Sequence, residues 1–233
     1  YRPWHERSIF LSSTFHDMHA ERDAFREIVI PGLAKRLRTE RRRHHVREVD
    51  LRWGLDTFDI HDQEGKELKV LRFCLDLVRR SKPLMVVLIG DRYGWIPPDE
   101  RLRMAVSRQG FRQDVAGKSI THLEIEYGAF NPGLEMEAFF YLRTPLPYDR
   151  MTAVERALYS DEHHPDPAVQ ARAPKLAALR SRITTEIPPT RWRRYSPTWD
   201  GETRRVTGLD GWAQQVEEDL WTVLEEETRF VLE

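Results

Sequence analysis

The sequence predicts a doubly wound α/β domain built on a parallel β-sheet, and two observations support this prediction. Strand and helix patterns alternate in the order β-α-β-α-β-α-β over residues 8–142, which is typical of parallel strands joined by right-handed crossovers. Residues 83–89 are also almost entirely apolar, as expected for a central strand that is covered on both faces.

The first strand and the first helix are predicted at the start of the chain. Residues 8–12 form a short apolar run that ends in small polar residues, which is typical of a buried strand. Residues 18–37 place apolar side chains at helical spacing, and Thr14 and Asp17 are the expected N-caps of this helix. Pro31 lies inside the pattern and should kink the helix or divide it in two.

The middle of the chain predicts two further strands with a helix between them. Residues 46–53 alternate between apolar and polar side chains before Gly54, and they predict the second strand. A helix is expected over residues 67–80, with Cys74 on its apolar face. Residues 83–89 are the third and central strand.

The last part of the chain predicts a fourth strand followed by less regular elements. Thr121 is the expected cap of a helix that ends near Phe130, and residues 136–142 predict the fourth strand. The later expectations are two helices over 152–187, a fifth strand over 192–196, a turn at 199–201 and an amphipathic helix over 209–231. No internal repeat is present, so one elaborated domain over residues 1–233 is predicted.

Composition and charge exclude several classes of protein. Hydrophobic residues make up 40% of the chain and charged residues 32%, which excludes a disordered chain. Because the formal net charge is −1, no overall field favours nucleic acid or anionic lipid, and neither is an expected partner. The single cysteine excludes an intrachain disulfide, and no apolar run could span a bilayer, so a cytoplasmic location is expected. Both termini look like cuts through a longer protein.

Four polar stretches are predicted to meet where ligands of open parallel sheets bind, outside the carboxyl ends of the strands. We call the edge that they form the rim. Its stretches are SST (12–14), DLRWG (50–54), GDRYGW (90–95) and the helix start THLEIEY (121–127). Hydroxyl groups and free N–H groups suit a phosphate or a ribose. A carboxylate beside them suits ribose hydroxyl groups, or positive charge on a sugar that is losing its base.

Each stretch also has a structural interpretation. Hydroxyl residues often cap helices, glycines often make turns, and acids often occupy the first turn of a helix. An acid–arginine pair among Asp50, Arg52, Asp91 and Arg92 is expected to bridge two strand ends. The basic run over 35–43 is interpreted as a solvated helix end, and the sequence contains neither zinc-spaced Cys/His residues nor a Walker glycine loop.

Together the motifs carry a resemblance to a known family. FLSSTFHDM (10–18) with ERD (21–23), then DLRWG, GDRYGW, and SIT (119–121) with Glu124, are similar in order and spacing to the motifs of TIR-like N-terminal domains. Such domains precede NACHT-type STAND ATPases and repeat arrays, as in the telomerase-associated protein with WD40 repeats. Bacterial members are thought to act in antiphage defence and innate immunity. The resemblance covers residues 7–143 as a core and leaves 144–233 as an elaboration.

The resemblance implies a flavodoxin-like, TIR-like three-layer fold with a parallel sheet of about five strands. In catalytic TIR domains and nucleoside deoxyribosyltransferases, a glutamate near the start of the helix before the fourth strand contacts the ribose and supports cleavage of the N-glycosidic bond. Glu124 occupies this position, Glu126 is the second candidate, and a capping box with Thr121 is the rival interpretation of Glu124. The expected substrate-binding residues are Ser12, Ser13, Thr14, Asp50, Arg52, Trp53, Asp91, Arg92, Tyr93 and Thr121, with Trp53 and Tyr93 stacking on a base or on nicotinamide.

The leading hypothesis is an effector domain that hydrolyses NAD⁺ when its parent protein oligomerises. Glu124 would stabilise the oxocarbenium-like ribose, NAD⁺ would be the substrate, and no metal or redox cofactor is expected. Two alternatives remain open: a self-associating adaptor without catalysis, and a nucleotide sensor that binds without cutting. The rim carboxylate favours the first hypothesis, whereas the lack of the aromatic-rich catalytic-helix motif of the best-known TIR enzymes favours the alternatives. ATPase and repeat or sensor regions are expected elsewhere in the parent protein.

Overall fold

A parallel β-sheet forms the centre of the molecule. The computed structural model describes residues 5–42, 44–50, 84–99, 115–131, 133 and 136–229. The sheet has five strands in the order β2-β1-β3-β4-β5, and every neighbouring pair is parallel. This is the strand order of flavodoxin-like folds, so the predicted fold class is confirmed. The strands are β1 (His5–Ser12), β2 (His44–Val49), β3 (Leu84–Ile89), β4 (Ala138–Arg143) and β5 (Trp192–Tyr195).

Strand β3 is the central strand, as its sequence predicts. It pairs with β1 through Phe10 and Met85 on one side and with β4 through Val87 and Phe140 on the other. All six of its residues are buried. The unbroken hydrophobicity of this run therefore reflects burial on both faces, as in other parallel sheets.

Helices cover both faces of the sheet and give the fold three layers. Val86 and Leu88 of β3 pack with the first helices and the last helix, whereas Met85 and Val87 pack with the helix before β4 and a later helix. Alternate residues of a strand point to opposite faces, which separates the two cores. The helices are α1 (His19–Ala24), α2 (Ile30–Thr39), α3 (Ile120–Gly128), α4 (Ala153–Tyr159), α5 (Pro167–Gln170), α6 (Ala173–Glu186) and α7 (Asp210–Arg229).

The first helical region is continuous but changes its winding before Pro31. A π-helical segment over Phe25–Val29 joins α1 to α2, and Pro31 lies in the first turn of α2. Proline lacks a backbone donor and crowds the carbonyl group four residues earlier, and a wider π turn accommodates such a change. The predicted caps Thr14 and Asp17 are wrong. The N-cap of α1 is Met18, which makes no side-chain cap bond, and the Asp17 carboxylate accepts hydrogen bonds from Thr14 and Arg143 instead of capping the helix.

The C-terminal third completes the sheet and adds a small hairpin. Strand β5 joins β4 in parallel, which confirms the predicted fifth strand. Three helices, α4 to α6, replace the two that were predicted. The turn predicted at 199–201 is wrong in part, since Trp199 lies in β6 (Thr198–Asp200), which pairs antiparallel with β7 (Arg205–Thr207). Trp199 and Val206 form strands here because both pack onto the hydrophobic core.

Helix α7 is attached to the sheet by both apolar and polar contacts. Val216, Leu220 and Leu224 are each 0% exposed. Tyr141 donates a hydrogen bond of 2.9 Å to Asp219, and Arg193 donates one of 2.7 Å to the same carboxylate. The predicted amphipathic helix is therefore part of the core layer.

Some sequence predictions lie outside the described residues. These are the helix over 67–80 with Cys74, the second strand beyond Asp50, and most of the loop over 96–119. Within the ranges that the structure describes, no helix is long and apolar enough to cross a membrane.

We expect Phe140→Ala to lower the free energy of unfolding by about 3–5 kcal/mol. Phe140 of β4 is 0% exposed and belongs to the core cluster that contains residues of β3 and α3, so truncation leaves a cavity. Urea denaturation measures the change, with Leu158→Ala, at a position 40% exposed, as the control. A loss below about 1 kcal/mol, which is typical of surface changes, would contradict the described packing.

Candidate functional site

The strand order predicts a ligand crevice beside the carboxyl end of β1. In flavodoxin-like sheets the chain leaves β1 and β3 in opposite directions, and this switch point opens a crevice between them. Ser12 is the last residue of β1, and Gly90 directly follows β3. The polar residues of the rim are therefore placed by topology where a ligand is expected.

Glu124 of α3 lies at this crevice and binds the end of β1. The Ser12 hydroxyl donates a hydrogen bond of 2.6 Å to Glu124 Oε2. Ser12 is 1% exposed and Glu124 is 6% exposed. Ser12 lies two residues after Phe10, whose side chain packs in the core layer of α3, and this alternation turns its hydroxyl towards the helix.

The rival interpretation of Glu124 as a capping-box acid is wrong. Helix α3 begins at Ile120, and its N-cap is Ser119, which accepts a hydrogen bond of 3.2 Å from the backbone of His122. The capping-box position, three residues after the cap, is therefore His122. Thr121 lies inside the first turn and is not the cap, so capping does not explain Glu124.

The loops after β1 and β3 meet the start of α3 at Gly94. Gly94 has a φ of +94°, a conformation that favours glycine. A Cβ atom there would lie 3.1 Å from Thr14 Cγ2 and 3.6 Å from Thr121 Oγ1. Thr14 and Thr121 therefore lie close together, as the predicted rim requires.

Glu126 points away from Glu124 into a cluster of positive groups. Its carboxylate lies 2.7 Å from Lys118 Nζ, 3.0 Å from Arg182 Nη1 and 3.3 Å from His122 Nε2. Burial raises the pKa of Glu126, but the hydrogen bonds from His122 and Lys118 outweigh it and lower the pKa to about 2. Glu126 is thus a structural ion-pair partner that joins α3 to α6.

The residues after β3 bind the C-terminal third of the chain. Asp91 accepts hydrogen bonds from Tyr148 (2.6 Å) and Arg180 (3.0 Å). Arg92 donates to Asp161 at 3.3 Å. Asp91 and Arg92, the two charged residues of this stretch, therefore bind groups outside the rim. The Tyr93 hydroxyl lies 2.6 Å from His122 Nδ1, and Tyr93 is 3% exposed, so its ring is enclosed by protein.

Asp50 and Ser13 anchor the first helical region. Arg22 forms an ion pair with Asp50 and donates a hydrogen bond of 2.9 Å to the Ser13 hydroxyl. Arg26 adds a second contact to Asp50 at 3.3 Å. The predicted site residues Arg52 and Trp53 lie outside the described residues.

A buried charge cluster lies next to the rim. The side chain of Arg143 is 0% exposed and lies 3.2 Å from Asp17 Oδ2 and 3.0 Å from Glu21 Oε1. Tyr195 donates a hydrogen bond of 3.0 Å to Glu21. Burial lowers the pKa of Arg143, but the carboxylates of Glu21 and Asp17 more than offset it, so the pKa is raised and the charge is retained.

Sequence reasoning missed this cluster. An arginine at the end of the apolar strand β4 was the available signal, because a charge in that position needs a buried partner. Among the described residues, no group of three metal-ligating side chains is present.

Comparison with known proteins relates the chain to longer proteins. A model of the family described as Domain of unknown function (DUF4062) matches residues 8–196. The chain is 31% identical to Telomerase protein component 1 of Rattus norvegicus over 95% of its own length and 8% of the rat protein. It is 26% identical to a TPR repeat-containing protein of Dictyostelium discoideum over 88% of the chain and 12% of that protein.

A third relative is similar over a shorter stretch. NACHT and WD repeat domain-containing protein 2 of Mus musculus is 34% identical over 37% of the chain and 5% of that protein. No solved structure matches the chain. The chain thus spans a small part of each relative, and the family description names no activity and no TIR domain.

We expect Arg143→Met to lower the free energy of unfolding by about 3–5 kcal/mol. The substitution leaves Asp17 and Glu21 buried without their positive partner. Arg205→Met, at an exposed position in β7, is the control and should change stability by less than about 0.5 kcal/mol. Equal stability of the two variants would contradict the buried cluster.

The depressed pKa of Glu126 predicts a loss of stability in acid. Its ionised form is favoured by folding, so its contribution is present above the ordinary value of 4.5 and is lost as the pH falls towards 2. Between about pH 5 and pH 2, the wild type should lose about 2 kcal/mol more than Glu126→Gln. Denaturation at several pH values measures this, and the exposed control Glu202→Gln should follow the wild type. Parallel pH profiles for wild type and Glu126→Gln would refute the assignment.

Proposed function

The chain belongs to the DUF4062 family, and from this membership and the geometry of the rim we propose that it is a TIR-like NAD⁺ glycohydrolase domain of a larger signalling protein. The observation that carries the proposal is the Ser12–Glu124 pair at the switch point of the sheet. The buried carboxylate of Glu124 lies where the resemblance to TIR-like domains predicts the residue that contacts the ribose.

In the proposed reaction the bond between ribose C1′ and the nicotinamide nitrogen breaks. The bonding electron pair leaves with nicotinamide, and the ribose becomes oxocarbenium-like. A water oxygen then bonds to C1′, and one proton is released to solvent, which gives nicotinamide and ADP-ribose. A fixed carboxylate stabilises the positive sugar, and such electrostatic stabilisation is strongest where bulk water is excluded.

Ser12 has a positioning role in this proposal. Its hydroxyl donates to one oxygen of Glu124, which limits the rotation of the carboxylate and keeps it at the crevice. Thr121 lies beside Gly94 and supplies a hydroxyl group next to the same crevice, whereas Thr14 presents its methyl group there and donates its hydroxyl proton to Asp17. Glu126 is unsuited to the role, because three positive or polar partners already bind its carboxylate.

A second candidate is nucleotide binding without cleavage. Glu124 is 6% exposed, and this narrow access also suits a sensor in which the carboxylate holds ribose hydroxyl groups. One relative is named for TPR repeats, and another is named for NACHT and WD repeat domains. We therefore propose for both candidates that ATPase and repeat regions lie in the same parent protein and that its self-association activates the domain.

We expect Glu124→Gln to reduce NAD⁺ cleavage by the full-length protein at least about 100-fold, because electrostatic stabilisation of this kind needs the charge. Glutamine still offers an oxygen to Ser12, so stability should change by less than about 1 kcal/mol. Release of free nicotinamide measures the reaction. Glu126→Gln is the matched control on the same helix and should remain active at neutral pH.

The outcomes separate the two candidates. A fully active Glu124→Gln variant would show that Glu124 is not a catalytic residue. Binding of NAD⁺ by the wild type without release of nicotinamide would favour the sensor.

A further inference from the structure

A second cleft opens at the carboxyl ends of β4 and β5. Its volume is about 310 Å³, and its polar lining comes from the strand ends and from α6. The groups that matter here are Thr144, Arg180, Ser181, Thr184 and Arg194. The described residues that line it include Arg180 and Arg194 and no acidic residue, which favours an anionic ligand.

The register of the sheet places Arg194 in this cleft. Arg194 of β5 is aligned with Leu142 of β4. Leu142 packs with Leu179 and Ile183 of α6, and aligned residues of neighbouring strands face the same side of a sheet. Arg194 therefore lies on the face that α6 covers. Arg194 is exposed, and its side chain forms no hydrogen bond or ion pair with any residue that the structure describes.

Arg180 provides a fixed positive charge on the opposite wall. Its Nη2 atom donates to the carbonyl groups of Gly90 (2.8 Å) and Arg143 (3.2 Å) and to Asp91 (3.0 Å). Its Nε atom has no acceptor among the described residues, and its side chain remains 26% exposed. A guanidinium held in this way is ordered before an anion arrives, which lowers the entropic cost of binding.

Ser181 is exposed and adds a hydroxyl group to the donors of the cleft. The other two hydroxyl groups of the lining already donate within the protein: Thr144 to Ser196 at 2.9 Å and Thr184 to the carbonyl group of Arg180 at 3.1 Å. Arginine forks and hydroxyl groups are typical ligands of phosphate oxygens. The chemistry of the lining therefore favours a phosphate group over a neutral or cationic ligand.

We propose that this cleft binds a phosphate group of a dinucleotide ligand. With neighbouring strands about 4.8 Å apart, the cleft lies about 12 Å along the sheet edge from the carboxyl end of β1. A dinucleotide spans this distance and a nucleoside does not. Phosphate binding stands on the cleft alone, whereas the placement of the ribose at Glu124 rests on the proposed function.

The test is equilibrium binding of pyrophosphate, ADP-ribose and adenosine to the full-length protein, measured by titration calorimetry. Arg194→Gln should weaken binding of both phosphorylated ligands about 10- to 100-fold, since it removes a charge-assisted hydrogen bond. It should leave adenosine binding unchanged. Arg205→Gln removes an exposed strand arginine outside the cleft and should bind all three ligands as the wild type does.

Several outcomes would overturn the proposal. Absence of pyrophosphate binding, equal affinities for the wild type and Arg194→Gln, or an equal loss in Arg205→Gln would show that the cleft is not a specific phosphate site. A loss for pyrophosphate but not for ADP-ribose would show that it takes free phosphate rather than a nucleotide. ADP-ribose has no nicotinamide bond to cleave, so these results do not depend on catalysis. Activity of Glu124→Gln tests the proposed function separately.

Discussion

A buried guanidinium must be paired, and Arg143 obtains its partners only when the end of β4 meets the start of α1. Its contacts with Asp17 and Glu21 are fully enclosed, where the cost of an unpaired charge is high. Gly90 lies against the same cluster, and a Cβ atom there would lie 2.6 Å from both Arg143 Nη2 and Asp17 Oδ2. The end of β4, the start of α1 and the residue after β3 therefore approach closely because Arg143 needs its partners and because Gly90 has no side chain.

The first motif of the chain divides into residues that build this junction and residues that face the crevice. Asp17, Glu21 and Arg22 bind other parts of the chain and hold α1 against the sheet. Ser12 and Thr14 lie instead beside Glu124 and Gly94. Similarity in such a motif is therefore mainly evidence for a shared fold. Only the residues at the crevice are evidence for shared chemistry.

The parts of the structure that were predictable are those that short-range patterns determine. The apolar run of β3 indicates two-sided burial, and the order of the elements placed Glu124 at the rim. The cap of α3 was not predictable, because Ser119 and Thr121 offer the same hydroxyl chemistry within three residues. The pairing of Arg143 with Asp17 joins residues 126 positions apart, and no local pattern encodes such a contact.

The attachment of α7 has a consequence for how the protein can be dissected. Asp219 receives hydrogen bonds from β4 and β5, and Leu220 fills the core on the face that carries α1 and α2. A fragment that stops after β5 would keep every strand of the sheet but would uncover the part of this face that α7 covers. Its exposed apolar surface would promote aggregation, so the smallest autonomous unit includes the last helix.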